Sequence, residues 1–368
     1  DGDPTNDSVD VSFINSHRNV EGDPRRSTFD NTTWRVVGGF RGDVTPEFSF
    51  DVFGQFSGTR GNRISRNDLN FNRVQQALFV VADANGNPVC RDTSGGCIPW
   101  NIFERNPDGS SAVTRDQARF IQGTGIVTGE TEQIVFGGTF EGDLTSRGVR
   151  LPWADDGLTG LVGFEYREDR LSRIADDISQ IPGGRGLTGT GGATLPVAGE
   201  IQVTEFFAEA ELPLIQGADF AEELGITAGY RYSDYTTKGD DPQTRQATSN
   251  EFTADTWFVG LSWTPVEDVR FRVNRSRAIR APNVFDLYVG ANTGLTDLST
   301  GENGLFDPCA SGFDAQGNVN VLPQASLEAC QRTGVTAEQY NAGIEDNPAG
   351  QYNIITGGNA QLEAETSD

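Results

Sequence analysis

From Asn31 to about Pro282 the chain alternates apolar and polar residues along extended stretches, joined in turn by a very short connection and a long one. Trp34, Val36 and Phe40 share one parity against Arg35 and Arg41. After Thr45-Pro46-Glu47, Phe48, Phe50, Val52 and Phe56 oppose Ser49, Asp51, Gln55 and Ser57. The pattern returns as Ile134, Phe136 and Phe140, as Val162, Phe164 and Tyr166, and as Phe206, Ala208, Ala210 and Leu212 against Glu205, Glu209 and Glu211. It continues through Leu224, Ile226, Ala228, Tyr230 and Tyr232, then Trp257, Val259, Leu261 and Trp263, then Val269, Phe271 and Val273 against Arg270, Arg272 and Asn274. A period of two belongs to a strand with one apolar and one polar face.

The connections discriminate further than the strands. Short links are read at Thr45, Trp153, Asp219 and Pro265, and long ones after Gly58, Arg170, Thr237 and Tyr288, the longest far beyond the ~4–6 residues usual in compact domains. Tight turns at one end and elaborate loops at the other are what an outer-membrane barrel requires. A soluble sandwich alternates too, but has no reason to gather its long loops at one end. Large aromatics read near strand ends, such as Trp263, Tyr230 and Tyr232, suit lipid headgroups. The expected fold is all-β: a transmembrane antiparallel up-and-down β-barrel, partial, with about nine or ten strands of a larger barrel and long extracellular loops.

Composition narrows the function classes. The longest apolar run, Ala77-Leu78-Phe79-Val80-Val81-Ala82, is far short of the ~20 residues of a spanning helix. The net charge of -25 argues against nucleic acid as a partner, because phosphate neutralisation needs a basic surface. Acidic loops would repel lipid phosphates unless divalent cations bridge them. Lys238 is the only lysine, so nearly every cation is an arginine.

Four cysteines fall in the two longest loops and none in a strand. Sequential pairing, Cys90 with Cys97 and Cys309 with Cys330, would give two local staples in an oxidising compartment. Free thiols are the alternative, and neither spacing resembles a zinc site.

Catalytic chemistry finds little support. His17 is the single histidine, and Ser16 and Arg18 beside it form no nucleophile motif. The pairs Glu209/Glu211 and Asp176/Asp177 are explained by lumen parity and by a solvated loop. Asp83-Ala84-Asn85-Gly86-Asn87 opens like a calcium loop, but Pro88 stands where the sixth-position glycine belongs and Ser94 where the twelfth-position acid belongs. It reads as a turn. Leu69 to Val80 is expected to form a short amphipathic helix capped near Asn67 or Asp68 and folded over the barrel mouth. Gly183-Gly184-Arg185-Gly186 and Gly189 to Gly192 read as loop tips, and Val9 to Ile14 as a further strand. No metal and no cofactor is expected, and no enzyme activity.

The segment Arg277-Ala278-Ile279-Arg280-Ala281-Pro282-Asn283-Val284-Phe285-Asp286-Leu287-Tyr288 resembles the TonB-dependent receptors of Gram-negative outer membranes. That family carries R-x-S-R-A-x-R-A-P-N-x-x-E-L on a strand, then a long loop, then N-x-x-L-x-P-E-x-S. The second element is similar to Asn359-Ala360-Gln361-Leu362-Glu363-Ala364-Glu365-Thr366-Ser367. Asp286 replaces the usual glutamate and Ala364 the usual proline. Val89-Cys90-Arg91, Cys97 to Phe103, Gly163 to Arg167 and Tyr230 to Tyr235 extend the resemblance over almost the whole chain.

The resemblance implies an active importer in the outer membrane that binds a scarce nutrient and admits it in a TonB-dependent manner. The alternative is a passive porin-like or structural barrel; a weaker one is a secreted carbohydrate-binding sandwich. All of 1–368 would be barrel domain. The plug domain, the TonB box through which TonB is engaged, and the C-terminal strands would lie outside this chain. Expected partners are outer-membrane lipid, TonB and a small-molecule or oligosaccharide nutrient. Candidate ligand contacts are the inward Arg270, Arg272 and Asn274 and the loop residues Trp100, Phe103 and Tyr352. The arginines could instead pair with wall carboxylates such as Glu209 and Glu211.

Overall fold

The computed structural model describes residues 19–181, 185–188, 192–347 and 350–368. Strands β1 (Arg26–Thr45) and β2 (Phe48–Leu69) form the first hairpin. A long loop over 70–121 holds α1 (Phe71–Leu78), β3 (Val80–Ala82), β4 (Pro88–Cys90) and α2 (Arg115–Phe120). Then come β5 (Gln122–Asp143), β6 (Thr159–Ala175), α3 (Asp177–Gln180), β7 (Val197–Ala218), β8 (Ala221–Asp240), β9 (Ala247–Val266) and β10 (Val269–Arg280). The second long loop, 281–364, contains α4 (Val284–Tyr288), β11 (Asn292–Asp297), β12 (Gly312–Phe313), β13 (Val319–Val321), α5 (Leu327–Gln331), α6 (Ala337–Ala342) and β14 (Gln351–Thr356). It ends at β15 (Glu365–Ser367).

Nine strands make one sheet in the order β1-β2-β5-β6-β7-β8-β9-β10-β15, each paired antiparallel with its neighbour in sequence among the sheet strands. This is an up-and-down meander that does not close among the described residues: β1 has one neighbour there, and β15 covers only Ala278–Arg280 of β10. Register keeps the apolar parity continuous. Phe56 pairs with Val36 and Ile134, Phe136 with Tyr166, Phe164 with Phe206, Tyr230 with Trp257, and Leu261 with Val273. Phe136, Phe164, Leu261 and Phe271 all remain exposed on this face. An uncovered apolar surface of this extent suits lipid and not water, which removes the sandwich alternative.

The strands are longer than expected. β8 has 20 residues, against the ~9–11 a tilted strand needs to cross. Its outward apolar run stops at Tyr232, so the tyrosines sit in mid-strand and the upper half rises out of the lipid. For the same reason β2 continues past Gly58 to Leu69, and the link after Thr237 shrinks to a tight turn over 241–246, closed by the Asp241 carboxylate on the Gln243 and Thr244 amides. The link around Trp153 is correspondingly longer than a turn, running over 144–158.

The loop helix is present, but its cap is Asn70, whose side chain accepts from the Arg73 amide, and not Asn67 or Asp68. Both disulfides form in sequential order, Cys90–Cys97 and Cys309–Cys330. Leu187, between the two glycine-rich pieces read as loop tips, is buried against Gly123 and Gly125 of β5. Val9–Ile14, His17 and glycines 183, 184, 189 and 191 lie outside the described residues.

Candidate functional site

On the polar, lumen-facing parity one row of side chains crosses four strands. Arg35 of β1 donates through Nε to Gln55 Oε1 of β2 at 2.8 Å. Gln55 Nε2 donates to Gln133 Oε1 of β5 at 2.8 Å, and Gln133 Nε2 to Asp169 Oδ1 of β6 at 2.8 Å. Arg167 Nε closes the row on Asp169 Oδ2 at 3.1 Å. Period-two geometry puts all five on one face, and the ~4.8 Å strand spacing brings their heads into hydrogen-bond reach.

Over this wall lies the start of the 281–364 loop. Pro282 cannot continue the β10 ladder, and Asn283 caps α4. Its Oδ1 accepts from the Phe285 and Asp286 amides, while Asp286 Oδ2 accepts from the Asn283 amide and from Arg280. This capping box turns the chain inward, so Val284, Leu287 and Tyr288 pack on Val197, Ile201, Val203, Tyr235 and Phe252 of the wall. Tyr288 lies across Gly199 and Gly239, which pair directly between β7 and β8. A Cβ at either glycine would come within 2.6 Å of the tyrosine ring. Arg173 sits 4.7 Å from the Phe285 ring centroid. The two separated motifs of the sequence meet here: Asn359 N donates to Asp286 O at 2.9 Å, Arg280 pairs with Glu365 at 3.1 Å, and Ala360 is buried in the same core.

Between the row and α4 a groove of about 800 Å³ remains, floored by Arg35, Gln55, Gln133, Arg167 and Asp169 and roofed by Asn283 and Phe285. Next to it on the wall, Glu205 is buried and holds Arg231 at 3.0 Å as well as the Ser233 hydroxyl.

The six anticipated contacts are not brought together. Arg270, Arg272 and Asn274 have the inward parity, near the periplasmic turns, but Arg270 pairs with Glu223 and with Thr264 Oγ1 at 3.2 Å. Its wall carboxylate is thus Glu223, not Glu209 or Glu211. Trp100 is 3 % exposed, inside the small core of the 70–121 loop with Ala77, Val113, Ala118 and Ile121. Its indole is taken up by packing, and the expected ligand contact is not carried forward. Phe103 is exposed on the same loop. The Tyr352 hydroxyl donates to Asp346 and accepts from the Asn347 amide at 3.2 Å, bracing the second loop. Burial pushes the Tyr352 hydroxyl up, helped by the Asp346 carboxylate. Burial also works to raise Asp346, but hydrogen bonds from Tyr352 and from the Phe306 and Asp307 amides outweigh it and hold the carboxyl below its ordinary value.

The residues sequence reasoning missed are Arg35, Gln55, Gln133, Arg167, Asp169 and Phe285. The parity of the five wall residues was readable, but nothing in one dimension aligns their heights on four strands or brings Phe285 of α4 over them.

A family profile described as TonB dependent receptor-like, beta-barrel, matches residues 1–368. No curated protein matches the chain. Among solved structures it is similar to a mutant of the ferric enterobactin receptor from Pseudomonas aeruginosa, at 12% identity and a TM-score of 0.29, over 76% of this chain and 47% of that one. The chain therefore spans about half the length of that receptor.

Proposed function

Because the chain belongs to the TonB-dependent receptor β-barrel family, a family of outer-membrane transport receptors and not of enzymes, we propose that it forms the wall and loops of an active importer. A scarce nutrient is captured at the cell surface, enters the groove under α4, and is admitted when TonB acts on a plug supplied by another part of the protein. The observation that carries this reading is the groove itself: a polar lumen wall partly roofed by an extracellular loop that is packed into the wall.

The open edges of β1 and β10 fit the same reading. Each unpaired backbone group in hydrocarbon costs several kcal/mol, so such edges call for the strand partners that a closed barrel supplies. Lipid meets the apolar face. Growth on limiting nutrient, compared in wild type, a receptor deletion and a strain lacking TonB, tests the proposal. Uptake should fail in both mutants; uptake that needs the receptor but not TonB would support a passive pore.

A further inference from the structure

We infer that the groove under α4 selects an uncharged, hydroxyl-rich solute of oligosaccharide type, and not a polyanionic ferric chelate. This deepens the import reading above and rests on it.

The inference starts from what the groove leaves available. Gln55 Oε1 takes both of its contacts from Arg35, while one N–H of Gln55 and one of Gln133 are engaged along the row. A primary amide has two N–H donors and two lone pairs. Each glutamine thus keeps one donor, and Gln133 Oε1 also keeps a lone pair. Ser57 and Thr131 line the same space, together with Thr33 and Thr59, whose hydroxyls bond each other at 3.0 Å. A surface of alternating donors and acceptors suits sugar hydroxyls, which both give and accept.

Charge points the same way. An anion needs cations with unspent donors and no nearby carboxylates. Arg167 is bound to Asp169, and Arg170 stands on the opposite, outward parity of β6, its head on Glu168 and Glu200. Arg35 alone of the three faces no carboxylate among the described residues, and its Nε and one Nη already serve Gln55. Towards the periplasmic turns a second groove on the same face is lined by Asp43, Glu47, Glu141, Asp143, Glu209 and Glu211, with no arginine or lysine in its lining. Arg270 and Arg272 stand on β10, outside that lining. An anion leaving downward from the upper groove would meet carboxylates, whereas a neutral solute would not.

Shape agrees as well. About 800 Å³ falls within the ~300–1,000 Å³ of small-molecule sites. The half-buried ring of Phe285, with Arg173 over it, lines the groove and supplies the apolar contact for pyranose C–H groups.

The test uses the full-length receptor in detergent, titrated calorimetrically with a panel of neutral α- and β-linked di- to pentasaccharides, and separately with a ferric tris-catecholate. At least one saccharide should bind, with affinity changed less than about threefold between low and high salt, since neutral contacts are not screened. Q133L should weaken it at least tenfold, and Q133E, which keeps the size, should as well. R270Q, outside the groove, should leave it unchanged. Tight, strongly salt-dependent binding of the ferric chelate that R35Q abolishes would overturn the substrate class while leaving import through this groove intact. If groove substitutions alter neither binding nor uptake of any solute the receptor transports, the import site itself is misplaced.

Discussion

The two long extracellular loops are built from the same parts and used differently. Each carries one disulfide and one hairpin turn of the same make. In Asp83-Ala84-Asn85-Gly86-Asn87 the aspartate accepts from the amides two and four residues on, and Asp314-Ala315-Gln316-Gly317-Asn318 repeats this, with Gly86 at φ 80 and Gly317 at φ 82. Yet the loop over 70–121 closes on its own core around Trp100, whereas the loop over 281–364 sends its first turn into the barrel wall. The first is a self-supporting cap. The second is held by the wall, so its position reports on the groove beneath it.

The sharpest way to break that contrast is to remove each anchor. Tyr288→Ala, which empties a site where the ring is 1 % exposed, should cost about 3–5 kcal/mol of loop docking. It should appear as fast proteolysis within 292–356 while the strands stay protected. Trp100→Ala should cost a similar amount but open only 70–121; cleavage of both loops in either variant would contradict the division. A smaller effect is expected from Gly239→Ala, which intrudes on Tyr288 without deleting it. Overpacking of about 1–3 kcal/mol should loosen the second loop, seen as faster amide exchange over α4, and leave α1 and α2 unaffected.

The smallest effect is electrostatic. Hydrogen bonds from Arg115 and Arg119 hold the Asp23 carboxyl below its ordinary value, at 2.6 and 3.1 Å, and tie the chain before β1 to α2. A carboxyl lowered by folding contributes stability that is complete above its unfolded pKa near 3.8 and fades as pH falls through the lower folded value. The protection of α2 amides, with the intrinsic pH dependence of exchange divided out, should therefore be flat from neutral pH down to about 4 and fall only below it. Asp23→Asn should remove the acid-dependent part in α2. The loop over 281–364 should loosen at acid pH through a different carboxyl, Asp346, which hydrogen bonds from Tyr352 and the Phe306 and Asp307 amides also hold below its ordinary value, so Asp23→Asn should leave its response unchanged.

Much of the sheet was legible because lipid imposes a sharp contrast between alternate residues. Phe48 to Phe56, Phe136 to Phe140 and Leu224 to Tyr232 fell on the predicted face, and the turns at Pro46-Glu47 and Asp219 were readable. Where the strands rise above the lipid that contrast disappears. In Gly58 to Leu69 arginine and asparagine occupy both parities, so the upper half of β2 read as loop. Aromatic character misled at Trp100, because a loop large enough to have a core buries its tryptophan as any small domain would.

The sequence by itself determined which residues face lipid within the membrane-spanning stretches, because this depends on local period alone. Only the tertiary structure decided that Arg35, Gln55, Gln133, Asp169 and Arg167 share one level, and that Tyr288 lies on Gly199 and Gly239. Such contacts depend on strand register and on the path of a long loop, quantities set by the summed pairing of the whole sheet.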